Sequence, residues 1–378
     1  MREAVIVEAV RTPAGKLRGS LSHIAPISLA ALILQEVVAR AGISPSAVDD
    51  VVMGCVTQTG EQGANIGRLA ALYAGFPVEV SAVSINRMCG SSQQAVHFAA
   101  QAIEAGDADV VIAAGVECMS RVTMGVDYPP QFPDNPPYPL LHQGISAELV
   151  AQKWGFSRTA LDEYSYHSHV KAAAATRSGY FRREIMPIQI GGGGDNRALD
   201  YDEGIRFEPS LEKMAALKPA FREDGVITAG NASQISDGAA AVLVMERSRA
   251  VSLGLKPRAR FLSRVAVGSD PELMLTGPIA ATQKALRRAG LSIGQMDVIE
   301  INEAFASVVL AWATEINPPL ERVNPNGGAI ALGHPLGATG AKLMTTMLHE
   351  LERSSGRYGL QTMCIGHGQA TATIIECL

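Results

Sequence analysis

Residues 86–95 read NRMCGSSQQA and set one cysteine, Cys89, between an apolar run and three small residues, where a helical pattern begins. Ser91 to Glu104, with Ala95, Ala99, Ala102 and Ile103 on one apolar face, are expected to form that helix. Its unpaired N–H groups and positive dipole end would favour a thiolate at Cys89, the form in which a thiol is a nucleophile. A lone cysteine is more often a small buried filler, but this one has company. NEAFA at 302–306, GHPLGATG at 333–340 and CIGHG at 364–368 each put a polar or reactive group at the end of an apolar strand or in a glycine-rich turn. Sites in open α/β sheets form at such positions. Cys89, His334 and Cys364 together offer a nucleophile, a base for it and a second thiol able to carry a proton. Reversible acyl transfer coupled to carbon–carbon chemistry requires that set.

The elements that must position these groups occur twice. RAGIS at 40–44 recurs as RAGLS at 288–292, an offset of 288 − 40 = 248, and at the same offset Asp49 meets Asp297. Each copy follows an amphipathic run (LAALILQEVVA; IAATQKALR) and precedes a short apolar strand (DVVMG; DVIEIN). GSSQQAVHFAAQAIEAG after Cys89 and GHPLGATGAKLMTTMLHEL around His334 are matching helices, and VVIAAG and TMCIG are closing strands. The middle differs: it includes the proline-rich YPPQFPDNPPYP and continues in charged helical runs. We expect a duplicated α/β core with an inserted loop domain. The division is an N-terminal half over 1–116, a loop domain over 117–246 whose last part returns to the core, and a C-terminal half over 247–378.

At 378 residues the chain is long enough to bury a large core, and its net charge of −5 argues against nucleic acid or a membrane surface as partner. Five cysteines, Cys55, Cys89, Cys118, Cys364 and Cys377, make an odd set with no CxxC and no histidine cluster at metal spacing, so neither a metal site nor a disulfide framework is expected. The first residues, MREAVIVEAVRTPAG, hold only a short apolar stretch, and no segment offers eighteen uninterrupted apolar residues. The reading is a cytoplasmic protein.

Along essentially its whole length the chain resembles the thiolase family, from RTPAGKLRG at 11–19 through TAGNASQISDGAAA at 228–241 to CIGHGQATATIIE at 364–376. The resemblance implies two halves in a five-layered αβαβα fold, a loop domain that binds coenzyme A, no cofactor or metal, and a homodimer or homotetramer. Carried over by position, Cys89 is the acylated nucleophile and His334 the base that activates it and later the incoming coenzyme A thiol. Cys364 is the acid and base at the α-carbon of the acetyl unit. Asn302 positions a water in one oxyanion hole, and the N–H groups of Cys89 and Gly366 form the other. For the acyl-CoA and coenzyme A substrates, the matching stretches put Ser233 and Ala229 beside the pantetheine arm, Arg206 near the adenosine end, and His142 near the thioester. Ala304 and Phe305 of NEAFA join the binding set.

Three departures bear on the acyl group. Gln143 stands where acetyl-specific members often have Met, MLTGP at 274–278 replaces the family's MGIGP, and CIGHGQA replaces CxGGGQG, which introduces His367. They resemble the branch that handles longer or bulkier 3-oxoacyl-CoA substrates. The alternatives are a short-chain acetoacetyl-CoA enzyme working in the condensing direction, or a non-catalytic acyl-CoA-binding relative. A decarboxylating ketoacyl synthase would carry histidine in place of Asn302 and no thiol at Cys364.

Overall fold

The computed structural model describes residues 2–191 and 197–378. Nine strands carry the framework: β1 (Ala4–Arg11), β2 (Asp50–Gly54), β3 (Ser81–Ile85), β4 (Val110–Cys118), β5 (Ser236–Glu246), β6 (Ala259–Gly268), β7 (Val298–Ile301), β8 (Tyr358–Ile365) and β9 (Gln369–Cys377). Eight helices matter for the argument: α1 (Pro26–Ala41), α2 (Ile66–Tyr73), α3 (Ser91–Ala105), α4 (Gln143–Trp154), α5 (Arg158–Arg177), α6 (Gly277–Ala289), α7 (Ala306–Ile316) and α8 (Thr339–Ser354).

The nine strands run in the order β7-β8-β9-β6-β1-β5-β4-β2-β3. Read outward from the β6–β1 joint, both directions repeat one design. An antiparallel trio (β1, β5, β4; β6, β9, β8) is followed by a parallel neighbour (β2; β7). The joint is slight, with Val5 opposite Arg260 and Ile6 opposite Ala259. β4 and β5 are buried along their whole length, as near-continuous apolar runs covered on both faces should be.

The 248-residue offset extends to single hydrogen bonds. Asp49 Oδ2 accepts from the N–H groups of Asp109 and Val110 at 2.7 and 2.9 Å, and Asp297 Oδ2 accepts from those of Arg357 and Tyr358 at 2.8 and 2.9 Å. α1 begins with Pro26 and ends at Gly42 with φ 68°, and α6 has Pro278 in its first turn and ends at Gly290 with φ 65°.

Helices α1 and α2 cover the outer face of the first half-sheet, around Leu34, Val51 and Ile66. α6 and α7 cover the outer face of the second, around Ala285, Trp312 and Ile374. Between the half-sheets lie α3 and α8, joined through Ala99, Ile103, Met344 and Leu348. The result is the five-layered αβαβα architecture. Gly340 lets the central helices touch, since a Cβ there would run into the Gln93 backbone, and Ala341 N–H donates to Ser92 Oγ at 2.9 Å. Both helices therefore begin at one place, α3 just after Cys89 and α8 just after His334.

Four buried histidines tie stability to pH. Burial pushes His97 and His334 down to about 3, and His169 and His349 to about 4, from an ordinary 6.5. Folded, they stay neutral; unfolded, they take protons below 6.5. Their contribution is complete above about pH 6.5 and is lost as pH falls toward 4, at about 1.4 kcal/mol per pH unit for each histidine. The melting temperature is expected to fall steeply below pH 6, and His97→Gln to make that fall shallower by one proton. A melting temperature that stays level from pH 7 to 5 would contradict this account.

Candidate active site

Cys89 sits in the turn between β3 and α3, buried against Val56, Met119, Leu336, Met363 and Ile365. The preceding Met88 has φ 45°, a left-handed conformation that a long side chain adopts only when its surroundings enforce it. Across from it β8 ends in Ile365 and Gly366, where a Cβ on Gly366 would lie 3.5 Å from Met88 Cγ. The N–H groups of Cys89 itself and of Gly366 both point at the Cys89 sulfur.

Burial raises the Cys89 thiol to about 11, and those two N–H groups offset part of the rise. The helix-end thiolate expected from the sequence is thus corrected. Desolvation outweighs the start of α3, so the resting sulfur keeps its proton. Cys364 is raised further by burial and by Cys89, whose negative charge would oppose its own. Both thiols are therefore protonated at neutral pH.

His334 lies in the turn before α8, almost fully buried. Thr339 donates its hydroxyl proton to Pro335 O at 2.8 Å, so at 2.6 Å from His334 Nδ1 it accepts. The network therefore assigns the proton to Nδ1 and leaves Nε2 unprotonated, its lone pair facing the Asn302 amide as a weakly engaged base. Asn302 Nδ2 is 3.4 Å from that Nε2. Asn302 Oδ1 is buried and has no hydrogen-bond partner among the described residues. Burial, then the charge of nearby Lys342, push His334 down to about 3, so thiol and imidazole rest as a neutral pair.

Close backbone approach holds the turn containing His334. A Cβ on Gly115 would meet the Gly337 carbonyl, and one on Gly54 would lie 2.8 Å from it. The buried Glu117 carboxylate accepts from the N–H groups of Val56 (2.9 Å), Thr57 (3.2 Å) and Gly337 (2.9 Å) and from Gln62 Nε2 (2.6 Å). That anion ties the Cys89 side of the site to the His334 side.

Two cavities flank these groups. One, of about 280 Å³, is lined among others by His142, Phe221, Ser233, Ala304, Phe305 and His334. The other, of about 410 Å³, is lined by Tyr128, Phe132, Leu140, Met274, Gly366 and His367 among others, and both share Met124, His142 and Gln143. A larger cleft of about 920 Å³ lies elsewhere, where Arg258 pairs with Glu8 and Glu352.

Residues 4–248 match the N-terminal thiolase domain and residues 255–377 the C-terminal thiolase domain. The chain belongs to the thiolase family. It is 51% identical to a steroid 3-ketoacyl-CoA thiolase, FadA6, of Mycobacterium tuberculosis, over all of this chain and 95% of that one. It is 46% identical to a 3-ketoacyl-CoA thiolase of Vibrio parahaemolyticus, over 99% of this chain and 98% of the other. An acetyl-CoA acetyltransferase from Bacillus anthracis superposes with a TM-score of 0.93 at 38% identity, covering 100% and 99% of the two chains.

Of the residues singled out in the sequence of this thiolase, Asn302 meets His334, the Gly366 N–H points at the Cys89 sulfur, and the Cys364 thiol feels the charge of Cys89. Ser233, His142, Ala304 and Phe305 line the smaller cavity. Arg206 and Ala229 are exposed and line neither cavity; Arg206 donates its backbone N–H to His169 Nδ1 at 3.1 Å. Thr339, Glu117, Tyr128 and Phe132 escaped sequence reasoning. Thr339 had a signal in its place one turn after His334, whereas Tyr128 and Phe132 lie in a proline-rich stretch without periodicity.

Proposed function

We propose that this thiolase cleaves 3-oxoacyl-CoA with coenzyme A, giving acetyl-CoA and a shortened acyl-CoA through an acyl-Cys89 intermediate. The observation that carries the residue roles is the His334 Nε2 lone pair, set beside Asn302 at 3.4 Å in a site where two N–H groups already point at the Cys89 sulfur. Because thiol and imidazole rest neutral, the proton moves from Cys89 to His334 as the sulfur attacks the 3-keto carbon. The developing oxyanion is held by the N–H groups of Cys89 and Gly366. The C2–C3 bond breaks, and its electron pair becomes the enolate of acetyl-CoA. Protonated His334 and a water held by Asn302 Oδ1 face the enolate oxygen, and Cys364 gives its proton to C2. His334 then returns its proton to the Cys364 thiolate. Coenzyme A enters, loses its thiol proton to His334, and takes the acyl group as Cys89 recovers that proton. Run backwards, the same steps are a Claisen condensation.

Coenzyme A is a substrate in this scheme, and no metal or cofactor takes part. The smaller cavity suits its pantetheine arm, with Ser233, Ala304 and Phe305 along it and His142 at the thioester end; we assign Ala229 to its outer stretch and Arg206 to the adenosine end. In this reading residues 117–246 are the loop domain that carries the nucleotide. Among the described residues no helix is long and apolar enough to cross a membrane. A cytoplasmic location accords with five free cysteines. The outer edge of β3, with Val83 44% exposed, invites a second copy and so a homodimer or homotetramer.

The larger of these two cavities is the acyl pocket in this scheme; two of the departures noted in the sequence, Gln143 and His367, line it, as does Met274 at the head of the MLTGP stretch. Each methylene buried there adds about 0.8 kcal/mol, roughly fourfold in the specificity constant. Thiolysis of an eight-carbon 3-oxoacyl-CoA is therefore expected to have a higher kcat/KM than thiolysis of acetoacetyl-CoA. Specificity constants for four-, eight- and twelve-carbon substrates test this, and a steady decline with length would leave a short-chain enzyme instead. A protein that binds all three substrates and cleaves none would defeat the catalytic reading.

A further inference from the structure

The acyl cavity is more polar than an alkyl chain needs. Beside an apolar wall that includes Phe132 and Met274 it carries Tyr128, His142, Gln143 and His367. His142 is engaged at one nitrogen, since its Nδ1 accepts from Gly144 N–H at 3.1 Å, and its ring packs 5.4 Å from that of Phe221; its Nε2–H belongs to both cavities, at the thioester end in the scheme above. The other three polar ends, the Tyr128 hydroxyl, the Gln143 amide and the His367 ring nitrogens, make no hydrogen bond among the described residues. Two of them are neighbours, the His367 and Tyr128 rings lying 6.0 Å apart, and Gln143 lines the same cavity.

His367 holds its place against local preference. Its φ of 64° is a conformation that suits glycine, and it sits between Gly366, whose N–H points at the Cys89 sulfur, and Gly368. Keeping an imidazole there directs a hydrogen-bonding group into the cavity one residue from the reacting centre. A plain alkyl chain seated against these groups would displace water from them and return nothing. A ligand oxygen among them would replace that water. No lysine, arginine, aspartate or glutamate lines this cavity. A carboxylate would enter without a counter-charge, whereas a ketone or hydroxyl would not need one.

We infer that the acyl group carried by this enzyme bears, besides its 3-oxo group, a neutral hydrogen-bonding oxygen, a ketone or a hydroxyl, bound by His367, Tyr128 and Gln143. This inference rests on the acyl-transfer reading above. It makes His367 a specificity-determining residue for the known reaction.

The test compares three 3-oxoacyl-CoA substrates of equal length: a plain alkyl chain, one with a ketone or hydroxyl further along the chain, and one ending in a carboxylate. The neutral oxygenated substrate is expected to exceed the alkyl one roughly tenfold in kcat/KM. His367→Gly, which φ 64° accommodates without strain, should bring that ratio close to one. Gln143→Leu should lower it as well. Equal or better use of the alkyl chain, a preference for the carboxylate, or a ratio unmoved by both substitutions would overturn the inference. Acetoacetyl-CoA in the same assay separates the failures. Its thiolysis without any preference for oxygen defeats the oxygen site alone, whereas its inertness defeats the acyl-transfer reading and the oxygen site with it.

Discussion

Cys89→Ser is expected to lower thiolysis by roughly 10⁴-fold or more while leaving the fold and coenzyme A binding intact. The substitution keeps the shape of the side chain and both N–H groups that point at it. It changes the acidity of the attacking atom. Burial already holds the Cys89 thiol at about 11, so His334, itself pushed down to about 3, can take the proton only as attack proceeds. A serine hydroxyl is a far weaker acid than a thiol, and the same weak base would then face a barrier several powers of ten higher. Mass spectrometry after incubation with acetyl-CoA should find one acetyl group on Cys89 in the unaltered enzyme and none in the variant. An acetyl group on Cys364 would exchange the roles proposed for the two thiols.

Much of this site could be read in the sequence because its parts are local. The residues proposed to react stand in short glycine-rich turns at the ends of apolar strands, and turn chemistry is written in neighbouring residues. The duplication was legible for a similar reason. Asp49 and Asp297 hold equivalent backbone N–H groups in the two halves, so each copy needs its aspartate at the same place. What escaped depends on contacts distant in the chain. Glu117 gains its meaning from Val56, Gln62 and Gly337, which no local pattern connects. Tyr128 and Phe132 reach the acyl cavity from a proline-rich stretch with no face to read. The protonated state of Cys89 is not legible in the sequence for a physical reason too: a helix end is visible there, but the depth of burial that outweighs it is a property of the packed molecule.

The second large effect separates Cys364 from His334. In the proposed cycle Cys89 can be acylated by acetyl-CoA with only His334 and the two N–H groups, so Cys364→Ala should still form acetyl-Cys89. Exchange of the α-protons of acetyl-CoA with deuterated solvent is another matter, because it needs a group that reaches C2. Cys364 fits that role, because its thiol is raised by burial and by the nearby Cys89 and so reclaims its proton readily once the carbon has been served. Cys364→Ala should therefore lose the exchange, with overall thiolysis down by roughly 10²- to 10⁴-fold, the range for removing a positioned acid or base. His334→Ala should be slow in both partial reactions by a similar factor, since Nε2 is the base for Cys89 and, once protonated, the donor facing the enolate oxygen. Its ring is held by Thr339 at 2.6 Å, so the loss would trace to the missing base in a turn that Glu117 still ties down at Gly337. Undiminished exchange in Cys364→Ala would move the carbon acid and base to another group, with His367 the first to examine, and would leave Cys364 a packing residue of the buried cluster that includes Phe305 and Met274.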